Sequence, residues 1–173
     1  TDLSSFPDPC YDADVYPALY EAGEKVLIFQ LDESRGCPNK CHFCVHPIIN
    51  GQGFRVTPVE KIIRQIQNIQ REFGAIAFRL TGSNTPKKFL KQFAESLIKQ
   101  KIDIKYSCFA SVNTTDVSVI EPLKKSGLVG VFLGIETLDA DILKNTFNKN
   151  GQNYQKVESL IETFLKSGIY TTT

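Results

Sequence analysis

A chain of 173 residues, 42% hydrophobic and 23% charged, is long enough to bury one substantial core. Its net charge of +1 removes the electrostatic argument for nucleic acid or an anionic membrane as default partner, and no apolar run approaches a membrane span. Five cysteines, three of them clustered, argue against a disulfide framework and for a reducing, cytoplasmic setting.

Residues 1–24 carry Pro7, Pro9 and Pro17 among Asp, Ser and Tyr with no sustained period, and read as an irregular lead-in to a core domain over 25–173. Residues 25–31 (K-V-L-I-F-Q-L) are a short apolar run, half of it β-branched or aromatic, that fits a buried first strand. The loop holding Cys37, Cys41 and Cys44 follows at its C-terminal end. Gly51-Gln52-Gly53 reads as a flexible loop. Thr57-Pro58-Val59-Glu60 reads as a helix start, with Thr as N-cap, Pro at the first position and Glu closing a capping box. Val59, Ile62, Ile63, Ile66, Ile69 and Phe73 recur at helical spacing, and Gly74 stops the helix. A second strand is expected over 75–80. Thr85-Pro86 opens a helix to about residue 101, with Phe89, Leu90, Phe93 and Leu97 on one face. A third strand covers 102–109, a helix 115–126 with Ile120 and Leu123 inward, and a continuous apolar fourth strand 128–135. Asp139 caps a short helix to about Phe147. Val157, Leu160, Ile161, Phe164 and Leu165 mark a longer helix ending at Gly168, and 169–173 starts a fifth strand.

Alternating strands and helices predict a parallel sheet with right-handed crossovers, and strands that are apolar throughout suit a sheet covered on both faces. Ligands of such folds sit at the C-terminal strand ends. The first end delivers Cys37, Cys41 and Cys44 at the spacing C-x3-C-x2-C, and thiolates in such a loop bind soft centres such as zinc or an iron-sulfur cluster. Structural zinc usually takes a second ligand pair from a distant segment. Here Cys10 and Cys108 are single, and His42 and His46 lie inside or beside the same loop. Three cysteines with no obvious fourth ligand suit a [4Fe-4S] cluster with one open iron. A zinc loop using His42 or His46, or three buried cysteines, stays open at this level.

The second strand end delivers Thr81-Gly82-Ser83-Asn84, which also suits a plain turn with capping residues. The third delivers Ala110-Ser111-Val112-Asn113, where Ser and Asn also serve as caps. The fourth delivers Gly134-Ile135-Glu136-Thr137. A carboxylate directly after a largely apolar run is poorly explained by packing. Arg79 shares a strand face with Ala77 and Thr81; pointed into the interior, its guanidinium needs an anionic partner, and the alternative is a plain surface arginine.

C-x3-C-x2-C with the aromatic Phe43 before the last cysteine, just after a strand, resembles the cluster loop of the radical S-adenosylmethionine superfamily. The resemblance runs from about residue 25 to the end. It implies an α/β fold, a partial (β/α)6 barrel of which this chain supplies four βα units and the start of the fifth strand. It implies that Cys37, Cys41 and Cys44 hold a [4Fe-4S] cluster whose fourth iron is chelated by the amino and carboxylate groups of S-adenosylmethionine. One electron then breaks the sulfonium, giving methionine and a 5'-deoxyadenosyl radical that abstracts hydrogen from a small-molecule or peptide substrate. Gly82, Ser83 and Asn84 stand where the family has a Gly-Gly-Glu-Pro-like turn that binds the cofactor's amino group, with the carboxylate missing. Ser111 is similar to a family position reaching the ribose or carboxylate. Glu136 matches the Glu of a Gly-Ile-Glu-Ser segment that contacts the cofactor, and Phe43 a residue near the adenine. Residues 139–149, with their Asn-Lys end, resemble the helix after that segment.

The lead-in, Arg-Gly-Cys-Pro, Phe54-Arg55 and Gly-Ile-Glu together most resemble the branch carrying an upstream cobalamin-binding domain, then the methylthiotransferase and coproporphyrinogen-type enzymes. Cobalamin is thereby admitted as a third cofactor, for a methylation or rearrangement. An electron donor such as flavodoxin or ferredoxin is implied; a membrane or nucleic-acid partner is not. No catalytic side chain is singled out. The rival readings are a zinc-stapled α/β binding module and a simple iron-sulfur electron carrier. The sequence contains no methionine, so Thr1 is expected to lie inside a longer product. A sheet ending at 173 leaves an open edge, so the rest of the fifth strand and a sixth are expected to follow, and the segment alone is expected to be poorly soluble or to swap partners.

Overall fold

The computed structural model describes residues 2–21, 27–113, 115, 117–149 and 151–173. In chain order its elements are β1 (Ile28–Leu31), β2 (Ser34–Arg35), α1 (His46–Asn50), β3 (Arg55–Val56), α2 (Val59–Phe73), β4 (Ala77–Leu80), α3 (Lys87–Gln100), β5 (Lys105–Ser111), α4 (Ile120–Lys125), β6 (Leu128–Gly134), α5 (Tyr154–Lys166) and β7 (Tyr170–Thr172). Five strands form one sheet in the order β1-β4-β5-β6-β7, every pair parallel. The four βα units and the fifth strand expected from the hydrophobic pattern are therefore present. Lys25 and Val26, assigned to the first strand by the sequence, lie outside the described residues.

Side-chain alternation divides the sheet into two faces. Phe29, Leu31, Phe78, Leu80, Tyr106, Cys108, Val131 and Leu133 are buried in a core with Ile62 and Ile66 of α2, Phe93 and Leu97 of α3, Leu123 of α4 and Phe164 of α5. Burying each of these aliphatic or aromatic side chains contributes about 1.5–3 kcal/mol. The opposite face carries Gln30, Arg79, Ser107, Phe109 and Phe132, and it leads to the cysteines.

Two local expectations are corrected and one is refined. The capping box at Thr57 does not form: α2 begins at Val59 behind Pro58, with no side-chain cap. Thr57 instead gives its hydroxyl to the Asp32 carbonyl and its N–H to the Glu33 carbonyl, both at 2.8 Å, because the returning chain must be tied to the end of β1. The short helix expected from Asp139 to about Phe147 is present, capped by Asp139, which accepts from the N–H groups of Asp141 and Ile142; over Ile142–Thr146 it takes π-helical form. The helix expected over 115–126 is a 3-10 turn, Val117–Val119, followed by the short α4.

The lead-in is bound to α2 more firmly than its composition suggests. The buried Lys61 ammonium donates to the carbonyls of Leu3, Ser4 and Phe6, and Gln65 donates to Asp8 at 2.9 Å. Among the described residues no helix is long and apolar enough to cross a membrane.

Candidate functional site

The cysteine loop is an excursion between β1 and α2, closed at its base by the antiparallel pair β2 and β3. Cys37 bridges to Gln52, and the Gly53 N–H donates to the Cys37 carbonyl at 3.2 Å, so the glycine-rich segment expected to be flexible is part of the closure. Gly36 makes this possible. Its φ is +82°, and a Cβ there would lie 2.2 Å from the Gly53 carbonyl oxygen, so only glycine fits. The far side of the loop docks on the segment after the π-turn. The His42 N–H donates to the Phe147 carbonyl at 3.1 Å, Asn148 donates to the Lys40 carbonyl at 2.9 Å, and Phe43 packs edge-on against Phe147. His42 Nδ1 is engaged with the Thr146 carbonyl at 3.0 Å.

So held, Cys37, Cys41 and Cys44 line a cleft of about 350 Å³ at the C-terminal ends of the strands. The same cleft is lined by Phe43, Ser83, Asn84, Ser111 and Glu136, which the sequence proposed, and by Phe109, Phe132 and Lys149, which it did not assign to the site. Gly82 stands behind the wall. A larger cavity, about 580 Å³, lies on the other side of β1 beneath the lead-in and contains no cysteine. Cys10 is exposed on the lead-in and Cys108 is buried in the helix-side core, so neither can join the three.

Burial pushes the Cys37 and Cys41 thiols up, and the nearby Lys149 ammonium works against that at both. Among the described residues no three His, Cys, Asp or Glu side chains are gathered closely enough to hold one metal ion. A four-iron cluster spreads its thiolates over separate irons, and three thiols lining one cleft suit it.

Two buried polar groups organise the walls. Glu33, fully buried two residues after β1, accepts from the Gly82 N–H at 2.9 Å, the Thr85 hydroxyl at 2.8 Å and the Ser34 hydroxyl at 3.2 Å. It ties the second strand end to the first. Burial raises its carboxyl, and those three donors pull it back down. The cue that singled out Glu136, a carboxylate directly after an apolar run, would have pointed here to Asp32, one residue earlier.

Glu136 itself is held in the left-handed region at φ +61°. The buried Lys149 donates to its carboxylate and, at 2.7 Å, to the Gly134 carbonyl. The buried Gln152 amide donates to the carbonyls of Ile135 and Thr137, at 2.7 and 3.2 Å, on either side of Glu136. A non-glycine residue in this region costs about 1–2 kcal/mol and persists only where its surroundings over-determine it. The clamp therefore aims one carboxylate into the cleft. Glu136→Gly should melt about 1 kcal/mol more stably than Glu136→Ala, because glycine relieves the backbone. Thermal melts on the two variants check this; equal stabilities would mean that the backbone at 136 is unstrained.

Comparison with known proteins gives one consistent picture. The model of the Radical SAM superfamily matches residues 34–173. The bacteriochlorophyllide d C-8(2)-methyltransferase of Chlorobaculum tepidum is 30% identical over 149 residues, covering 79% of this chain and 32% of the relative. An uncharacterized methyltransferase of Pyrococcus horikoshii is 26% identical over 170 residues, covering 97% of this chain and 36% of the relative. The chain thus spans about a third of the length of the curated relatives it matches. Among solved structures, the radical S-adenosylmethionine methyltransferase TsrM of Kitasatospora setae superposes with a TM-score of 0.72 at 16% identity, over 83% of this chain and 29% of that one. TsrM has been solved with its tryptophan substrate and a cofactor analogue, and with cobalamin and a [4Fe-4S] cluster.

Proposed function

The chain belongs to the Radical SAM superfamily, whose members use a [4Fe-4S] cluster and S-adenosylmethionine, and on that premise we propose that it is the cluster- and cofactor-binding core of a cobalamin-dependent methyltransferase. The observation that carries this is the single cleft shared by Cys37, Cys41, Cys44 and the three further strand ends. When bound, the reduced cluster supplies the electron that splits the sulfonium of S-adenosylmethionine.

Each residue then has a distinct task. Cys37, Cys41 and Cys44 bind the cluster as thiolates; the metal's charge reverses the preference for the thiol that burial creates. The turn of Gly82, Ser83 and Asn84, locked from below by Glu33, presents backbone acceptors to the cofactor's ammonium group. Ser111 and Glu136 hold the cofactor's polar hydroxyls, Phe43 flanks the adenine, and Lys149 keeps Glu136 turned inward. Methyl transfer is favoured over rearrangement because the relatives that cover most of this chain are named methyltransferases. The aromatic floor of Phe109 and Phe132 suits a small-molecule substrate with an extended apolar part.

The test is made on anaerobically reconstituted full-length protein. S-adenosylmethionine should bind, and 5'-deoxyadenosine should be released only when a strong reductant is added. A protein that holds iron and sulfide yet neither binds nor cleaves the cofactor is an electron carrier, and one that holds a single zinc is a stapled binding module.

A further inference from the structure

Arg79 lies in the middle of β4, between Gln30 of β1 and Ser107 of β5 in register. Phe78 and Leu80 on either side of it are buried in the helix-side core, so Arg79 projects from the other face, the one that carries Phe109 and Phe132. Those two rings stand opposite each other in register and stack with centroids 5.0 Å apart, and both line the cysteine cleft. The Arg79 guanidinium lies over the Phe132 ring, 5.2 Å from its centroid. Its Nε is buried with no hydrogen-bond partner, and no hydrogen bond or ion pair joins the guanidinium to another described residue. Asp32 is paired with Arg35 and Glu136 with Lys149.

A half-buried guanidinium resting on an aromatic face keeps only part of its hydration, and the cation–π contact leaves its in-plane donors unused. Such a fork matches a carboxylate in two parallel hydrogen bonds. We propose that Arg79, with Phe109 and Phe132, forms a substrate subsite for a carboxylate carried by a flat conjugated body: the rings take the body and the guanidinium takes the acid. One cation flanked by the neutral Gln30 and Ser107 balances a monoanion, which selects a carboxylate over a doubly charged phosphate. This deepens the reading of the cleft as an active site and rests on it.

The experiment measures equilibrium binding of 1-naphthoate and of its neutral counterpart, 1-naphthamide, to the full-length protein, with iron content and S-adenosylmethionine affinity recorded on the same samples. The wild type should prefer the acid by about tenfold, the difference a charge-assisted pair makes. Arg79→Gln should erase that preference, Arg79→Lys should keep part of it, and Phe132→Leu should weaken both probes alike. Iron content and cofactor affinity should be unchanged in the two Arg79 variants, because Arg79 touches neither. Equal binding of acid and amide by the wild type overturns the proposal. So does a preference that survives Arg79→Gln, or a loss of thermal stability in that variant with the preference intact, which would give Arg79 a partner elsewhere in the protein. Failure to bind iron or S-adenosylmethionine would count against the cleft's assignment instead, since the probes report on Arg79 directly.

Discussion

Cys37→Ala, Cys41→Ala and Cys44→Ala should each abolish the proposed cluster in anaerobically reconstituted protein, taking the iron content from about four per chain to near zero, while Cys10→Ala and Cys108→Ala should leave it intact. The expectation is all-or-none because a cubane with one open iron has no protein ligand to spare. The control pair is informative for opposite reasons. Cys10 is an exposed thiol on the lead-in, and its removal changes nothing near the cleft. Cys108 is fully buried on the helix side of β5, where burial pushes its thiol up to about 12, so at neutral pH it is a small apolar side chain and not a ligand. Iron and sulfide analysis on the five variants checks the set. Iron retained in any one of the first three, or a stoichiometric zinc in the wild type, would remove the premise.

These cysteines were legible in the sequence because their spacing is local: a three-ligand loop declares itself within eight residues. The strands and longer helices were legible too, since continuous apolar runs and the spacing of Val59 to Phe73 encode which face is buried. What escaped was whatever depends on a partner far along the chain. Thr57 looked like an N-cap because local capping rules favour it there, but a bond to Asp32, twenty-five residues earlier, competes and wins. Gln152 gave no cue, because its two acceptors flank Glu136 and only the closed fold brings them within reach. Lys149 stood in a recognised Asn-Lys pair, yet its union with Glu136 is set by how the π-turn returns the chain to β6. The cysteine loop's grip on the residues from Thr146 to Asn148 is of the same kind.

The second large effect is expected at the joint between the first two strand ends. A Cβ on Gly82 would lie 2.2 Å from the Ser34 hydroxyl oxygen and 2.3 Å from a Glu33 carboxylate oxygen, both buried and hydrogen-bonded. Gly82→Ala must therefore expel the carboxylate or move the turn proposed to face the cofactor. Glu33→Ala removes the acceptor of the Gly82 N–H and the Thr85 hydroxyl, and leaving buried donors unpaired costs about 1–3 kcal/mol each. Relief of the buried charge offsets part of this, so a net loss of about 2 kcal/mol is expected at neutral pH, with a larger loss for Gly82→Ala. Both variants should weaken S-adenosylmethionine binding by tenfold or more while retaining iron, since they move the turn and not the cysteines. Glu33→Gln adds a test of sign. Burial raises the Glu33 carboxyl above its ordinary 4.5, so in this window the unfolded chain binds fewer protons than the native one. The group's stabilisation is full below that ordinary value and is lost as pH rises through the raised one. The wild type should therefore lose stability relative to Glu33→Gln as pH climbs from about 4.5, at a slope of up to about 1.4 kcal/mol per unit. Denaturant melts across that range decide it. A difference that is flat with pH, or that grows in favour of the wild type toward neutrality, would mean that the three donors outweigh burial and that Glu33 is ionised without penalty beneath the turn.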